Sequence, residues 1–106
     1  MAYLIELAQR AERDLEHLYE RIAETDSIAA ANWFNRLENA ICSLERLPRR
    51  RPIAPESRII GRRLRHLLYG AKKDVYRIIY EIDEAREIVR VLTVRHAAMD
   101  EFLGQI

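Results

Sequence analysis

Two alternating runs, one directly after the other, limit this chain more than any other feature. Val75-Tyr76-Arg77-Ile78-Ile79-Tyr80-Glu81-Ile82 has a period of two and is rich in β-branched and aromatic residues. Asp83-Glu84-Ala85-Arg86-Glu87 is polar and suits a turn, and Ile88-Val89-Arg90-Val91-Leu92-Thr93-Val94 reads as a second strand ending at Arg95-His96. In an antiparallel hairpin a residue early in one strand lies near one late in the other, so Arg77 is expected to approach Arg95 and His96. Two cations and an imidazole at one sheet end are costly unless an anion binds there, which marks the hairpin as the place to look for function.

The pleat assigns faces to the first of these strands. Tyr76, Ile78, Tyr80 and Ile82 share an apolar side that should pack on helices, whereas Val75, Arg77, Ile79 and Glu81 should form an open face. Strand 88–94 is apolar on both sides and should sit in the middle of its sheet.

Upstream, Tyr3-Leu4-Ile5-Glu6-Leu7 reads as a first strand, after which apolar residues switch to helical spacing at Ala8, Ala11, Leu15, Leu18, Tyr19 and Ile22. Thr25-Asp26-Ser27 breaks the pattern and offers a cap to a second helix carrying Ala30, Trp33, Phe34, Leu37, Ala40, Ile41, Leu44 and Leu47, which Pro48 should end. So short a link makes the helices an antiparallel hairpin. Residues 48–63 read as an irregular basic connector, Leu64 to Tyr69 as a strand, Gly70-Ala71-Lys72-Lys73 as a turn, and residues 97–106 as a short closing helix. The expected architecture is α+β: one domain over 1–106, order β-α-α-β-β-β with a short C-terminal helix, and the helix hairpin on one face of a small, antiparallel-rich sheet.

Charge is segregated along the chain. Residues 1–45 hold four Lys/Arg against nine Asp/Glu, residues 46–77 eleven against two, and residues 78–106 three against six. The basic middle includes Arg49, Arg50, Arg51, Arg62, Arg63, Arg65, Lys72 and Lys73, read here as a nucleic-acid or anion-binding set, since guanidinium forks suit phosphate and carboxylate. The alternative is that these side chains are solvated loop charges balanced by the acidic helices. No long apolar run predicts a membrane helix or a signal-peptide core, and a lone Cys42, read as a packing residue in a helix, points to the reducing cytoplasm. Cys42 has no histidine near it in sequence. No ligand spacing suggests a metal and no glycine-rich loop a phosphate cofactor, so no cofactor is expected.

The run from Tyr76 to Asp100, YRIIYEIDEAREIVRVLTVRHAAMD, resembles the C-terminal strands of the RelE/ParE superfamily, the small toxins of bacterial type II toxin–antitoxin modules, also known as plasmid stabilisation systems. The likeness extends back through both helices to the first strand. It implies a growth-arresting toxin, neutralised by a cognate antitoxin whose segment wraps it, in a hetero-oligomer that reaches operator DNA through the antitoxin. In the ribonuclease branch an arginine on the third strand stabilises the transition state of mRNA cleavage on the ribosome. Arg77, inside Tyr-Arg-x-x-Tyr, matches that position, and Arg95 and His96 match the catalytic side chains after the last strand. The lysine pair of some members is missing from Arg62-Arg63-Leu64-Arg65-His66, and Phe102 stands where some carry a tyrosine.

The ParE branch instead poisons DNA gyrase and cleaves nothing. Leu47-Pro48 before the basic loop and Arg90-Val91-Leu92 before the histidine resemble that branch. The side-chain cluster makes the endoribonuclease the leading expectation by a small margin, with the gyrase inhibitor next and an inactive partner-binding or RNA-binding module third. Duller roles exist for each residue: Arg77 paired with Glu81, His96 bonded to a carbonyl, His17 solvated, and His66 partly buried beside Leu64 and Leu68.

Overall fold

A computed structural model describes residues 2–71 and 74–97. The elements follow the expected order with one addition: β1 (Leu4–Leu7), α1 (Gln9–Ala23), α2 (Ser27–Cys42), α3 (Glu56–Ile60), β2 (Arg65–Ala71), β3 (Asp74–Asp83) and β4 (Ile88–His96). The closing helix expected over 97–106 falls largely outside the described residues, as do Lys72 and Lys73 of the basic set.

The sheet order is β1-β4-β3-β2. β4 is central, as its two dry faces require, pairing parallel with β1 and antiparallel with β3. Tyr76, Ile78 and Tyr80 of β3 pack with Val89, Val91 and Val94 of β4 against Ala11 and Leu15 of α1 and Leu37, Ile41 and Leu44 of α2. This is the helix-facing core that the alternation implied. Tyr80 is wholly buried, its hydroxyl donating to the Pro48 carbonyl at 2.5 Å. Burial pushes its phenol up to about 12.

Asp26 caps α2, its carboxylate accepting from the amides of Ile28 and Ala29 at 3.0 Å each. The helix does not reach Pro48. It ends at Cys42 and tightens into a 3₁₀ turn over Ser43–Glu45, and Leu47 adopts a left-handed φ of 50°. Leu44 completes the dry stripe; Leu47 is 64% exposed, so nothing on the core side holds the chain helical past Leu44. Cys42, one position round from buried Ile41, points outward and is exposed rather than packed.

The face expected to be open is covered. Ile79 is buried with Leu92, Ala54 and Leu64, with Ile60 of α3 against them. Residues 52–64, expected to be irregular, fold back on themselves over this face. The Ala54 amide bonds to the Leu64 carbonyl at 2.8 Å, Ile53 bridges Arg65, and the His66 amide bonds to the Pro52 carbonyl at 3.2 Å. Within this strap α3 is a single short helix closed by Gly61 at φ 77°. Ser57 Oγ bonds to the Arg62 carbonyl and accepts from the Leu64 amide, tying the helix to the chain that follows.

A bulge sets the rest of the hairpin. Ile79 pairs with Thr93 but Tyr80 pairs with Val91, so Leu92 is an extra residue on β4. Its insertion inverts the alternation. Val89 and Val91 face the helix hairpin before it, and Val94 does so after it. No helix among the described residues is long and apolar enough to cross a membrane.

Candidate functional site

Register brings Arg77 opposite Arg95 and Tyr76 opposite His96, so the backbone proximity expected of the hairpin is present. The side chains then diverge. Because of the bulge at Leu92, His96 falls on the helix side, its ring 5.1 Å from that of Tyr76 and edge-on to it, with Nε2 3.5 Å from Asp74 Oδ1. Arg95 starts on the same side of the pleat as Arg77.

Arg77 is not on an open surface. It is 6% exposed and Glu56 of α3 is 5% exposed. The guanidinium meets that carboxylate as a two-toothed fork, Nη1 to Oε2 at 2.6 Å and Nη2 to Oε1 at 2.7 Å. Its Nε and Nη2 also lie 3.2 and 3.0 Å from His66 Nδ1. A guanidinium can only donate, so Nδ1 accepts and the imidazole proton belongs on Nε2. The Arg77 fork holds the Glu56 carboxyl below the ordinary carboxylate value, against the opposing effect of burial. Pairing with Glu81, the local alternative, does not occur: Glu81 takes Arg62, at 2.6 and 3.2 Å. The acidic partner of Arg77 lies 21 residues back in a helix too short to show a pattern, which is why the alternation of β3 gave no sign of it.

The basic connector is also more engaged than its charge suggests. Arg49 pairs with Glu84 at 2.9 Å, and Glu84 accepts from the Tyr3 hydroxyl at 3.0 Å. Arg65 donates to the carbonyls of Arg51 and Arg49 at 2.8 and 3.2 Å, acting as a clamp on its own loop. Arg51 is half-buried, while Arg50 and Arg63 are exposed. The described members of the set expected to form one positive surface are thus divided between tethers and exposed side chains.

Arg95 and His96 line one groove, with residues of α1 that the sequence had not joined to them. β1 stops at Leu7, opposite Val91, and the rest of the β4 edge is covered by α1. Asp14 Oδ2 accepts from the Val94 amide at 3.1 Å and from Thr93 Oγ1 at 2.5 Å, while Oδ1 accepts from Arg10 Nε at 3.4 Å. Beyond this contact α1 and the end of β4 enclose a groove of about 440 Å³, lined by Arg10, His17, Arg21, Arg95 and His96 among others. His17, read from sequence as merely solvated, is exposed on one of its walls. No group of three or more His, Cys, Asp or Glu among the described residues is placed to hold a metal ion.

No curated protein sequence is a significant match to the chain. The fold is shared with solved toxins. A chain of the chromosomal ParDE toxin–antitoxin system from P. aeruginosa aligns over 90% of this chain and 96% of its own, with a TM-score of 0.70 at 11% identity. E. coli toxin RelE, an arginine-to-alanine double mutant in the free state, aligns over 94% and 88%, with a TM-score of 0.63 at 16% identity. A chain of the RelBE toxin–antitoxin complex from Mycobacterium tuberculosis aligns over 91% and 92%, with a TM-score of 0.57 at 26% identity. The model of the family described as the ParE toxin of the type II toxin–antitoxin system parDE matches residues 5–101, nearly the whole chain. With its central β4, its helix hairpin and that match, the chain belongs to the ParE toxin family of type II toxin–antitoxin systems.

Proposed function

We propose that this toxin arrests growth by poisoning DNA gyrase without cleaving RNA, and that a cognate antitoxin restrains it in the cytoplasm. The observation that carries the reading is the Arg77–Glu56 fork. An arginine that stabilises a pentacovalent phosphate must aim its donors at the substrate. Both terminal nitrogens of Arg77 are instead committed to a buried carboxylate, and Nε to His66. With Arg77 held under α3, Arg95 and His96 are binding residues in this reading and not part of a catalytic set. The family likeness to ParE supports the same target.

An antitoxin partner is supported by the complexes in which related folds are found. It is also supported by Ile53 and Ile59, which stand exposed around one shallow apolar pocket beside the exposed Arg58. An amphipathic, acidic segment would cover such a surface, and the antitoxin would carry the complex to operator DNA.

The test is induction of the toxin alone, followed by mapping of gyrase–DNA breaks and of message integrity. Stabilised gyrase–DNA breaks with intact message are expected. Rapid mRNA cleavage on ribosomes with normal supercoiling would overturn the proposal in favour of the endoribonuclease. A toxin without either effect on growth would mark a module that only binds partners.

A further inference from the structure

We infer that the pocket between the end of α2 and residues 45–51 is a second docking point for the antitoxin, one that rests on the antitoxin reading and not on the toxin's target. It suits a bulky apolar side chain flanked by carboxylates. Leu47 holds a left-handed φ of 50°, a conformation that strains an L-residue, yet its side chain is 64% exposed and gains little burial in return. Strain that the fold does not offset gathers at ligand clamps. The chain on either side of Leu47 is pinned to the core. The Glu45 carbonyl accepts from the Tyr3 amide at 2.9 Å, Pro48 is buried with its carbonyl bonded to the Tyr80 hydroxyl, and Arg65 clamps the carbonyls of Arg49 and Arg51. Leu47 is therefore presented rigidly, with exposed Arg46 before it and exposed Arg50 after it.

These residues line a pocket of about 470 Å³, shared with half-buried Arg51 and exposed Cys42. Three arginines against one carboxylate, Glu45, leave an excess of two positive charges. Arg46, Arg50 and Arg51 form no salt bridge or side-chain hydrogen bond among the described residues, so their forks are open to a carboxylate from outside. The scale of the charge decides the kind of anion. A nucleic acid is held by a broad positive field, whereas this chain has a net charge of +1, and its first 45 residues hold nine Asp/Glu against four Lys/Arg. An excess of two around a single apolar knob instead matches one or two carboxylates around one apolar side chain. The pocket also adjoins the apolar patch of Ile53 and Ile59. Arg65 joins the two regions, its backbone bridging Ile53 and its guanidinium holding residues 49 and 51. One antitoxin segment can thus cover both.

Cys42 is the only cysteine of the chain and lines the pocket, so its thiol reports occupancy without any substitution. The experiment follows alkylation of Cys42 by N-ethylmaleimide, read by mass spectrometry, in the free toxin and in its complex with the full-length cognate antitoxin. Alkylation is expected to be at least about tenfold slower in the complex, as at a covered interface. Binding kinetics on immobilised antitoxin then test the residues. Leu47→Gly is expected to leave Tm unchanged or raise it, because glycine adopts a positive φ freely, and yet to weaken binding about tenfold through faster dissociation. Arg46→Glu and Arg50→Glu are each expected to weaken binding about tenfold through slower association, with a smaller salt dependence. Arg13→Glu, the same charge change at an exposed position of α1, is expected to alter it by less than about twofold. If the complex forms but Cys42 reacts as fast as in the free toxin, or if Leu47→Gly and both arginine variants bind as the wild type does, the docking point is refuted and the antitoxin reading stands. Failure of the wild-type toxin to bind the antitoxin overturns both. A loss on Arg13→Glu equal to that on Arg46→Glu would overturn the docking point by reducing it to general charge. Arginine variants that lose a labelled deoxyoligonucleotide but keep the antitoxin would overturn it in favour of a nucleic acid.

Discussion

If the Arg77–Glu56 pair is a structural unit, removing one member should cost far more than removing both. The two side chains are each 7% exposed and meet through contacts of 2.6 and 2.7 Å, so solvent screens them little. With charge centres about 4 Å apart and an effective dielectric constant near 20, their attraction is about 4 kcal/mol. Glu56→Gln keeps the shape, removes the charge, and turns one acceptor into an amide donor facing the guanidinium. Its expected cost is about 3–5 kcal/mol, the usual penalty for leaving a buried charge without its partner. For a domain of this size that is a large share of the total, and it should lower Tm by at least about 12 °C. Arg77→Met alone should be damaging for the same reason. The double variant Glu56→Leu with Arg77→Met replaces the buried ion pair by apolar groups and should return to within about 1 kcal/mol of the wild type. Urea unfolding of Glu56→Leu, Arg77→Met and the double variant, followed by circular dichroism with m constant across the set, gives the coupling directly. A Glu56→Gln loss below about 1 kcal/mol, or a double variant whose loss equals the sum of the singles, would refute the argument. The same double variant bears on function, since under the proposed gyrase target a folded toxin lacking Arg77 should keep its effect on growth.

Acid should weaken the pair in a defined direction. Glu56 has a lowered pKa in the fold, so its contribution is fully present above the ordinary value of 4.5 and is lost as pH falls through the lowered one; a pH series of unfolding midpoints should lose slope in this window in Glu56→Gln. Asp14→Ala should cost about 2 kcal/mol by leaving the Thr93 hydroxyl and the Val94 amide without their acceptor, and hydrogen exchange at Val94 should accelerate. Gly70→Ala should destabilise by more than about 1 kcal/mol, because φ is 111° and an added Cβ would lie 2.0 Å from the Asp74 carbonyl oxygen; a thermal melt unchanged from the wild type would contradict the close approach.

Most of the fold was legible because its signals are local and repeat. The alternation of 75–82 and 88–94, the polar turn between them, the helical spacing of α1 and α2 and the Asp26 cap each express one period or one hydrogen bond within a few residues. The dry faces of β4 placed it in the middle of the sheet, where it lies. Two things escaped. α3 has five residues, too few for a helical period to show, and its neighbours Pro52, Pro55 and Gly61 resemble a loop. The bulge at Leu92 leaves no mark in a segment that is apolar at almost every position. Yet that single inserted residue decides that Val94 and His96, rather than Thr93 and Arg95, continue the face begun by Val89 and Val91.

The candidate site was less legible for a related reason: composition counts charges, whereas function depends on which of them have been neutralised. Residues 46–77 carry eleven cationic side chains against two acidic ones. The partners that quieten several of them come from outside local reach. Glu56 is 21 residues from Arg77, Glu81 is 19 from Arg62, and Glu84 belongs to the far hairpin turn yet holds Arg49. Each pairing crosses from the connector to the hairpin, so the segment that looked like a positive surface is in part the fastening of the strap. The cations of α1 were hidden in the opposite way. Arg10 and Arg21 sit in a segment whose net charge is negative, and it is the Asp14 contact with the end of β4 that brings their stripe beside Arg95 and His96.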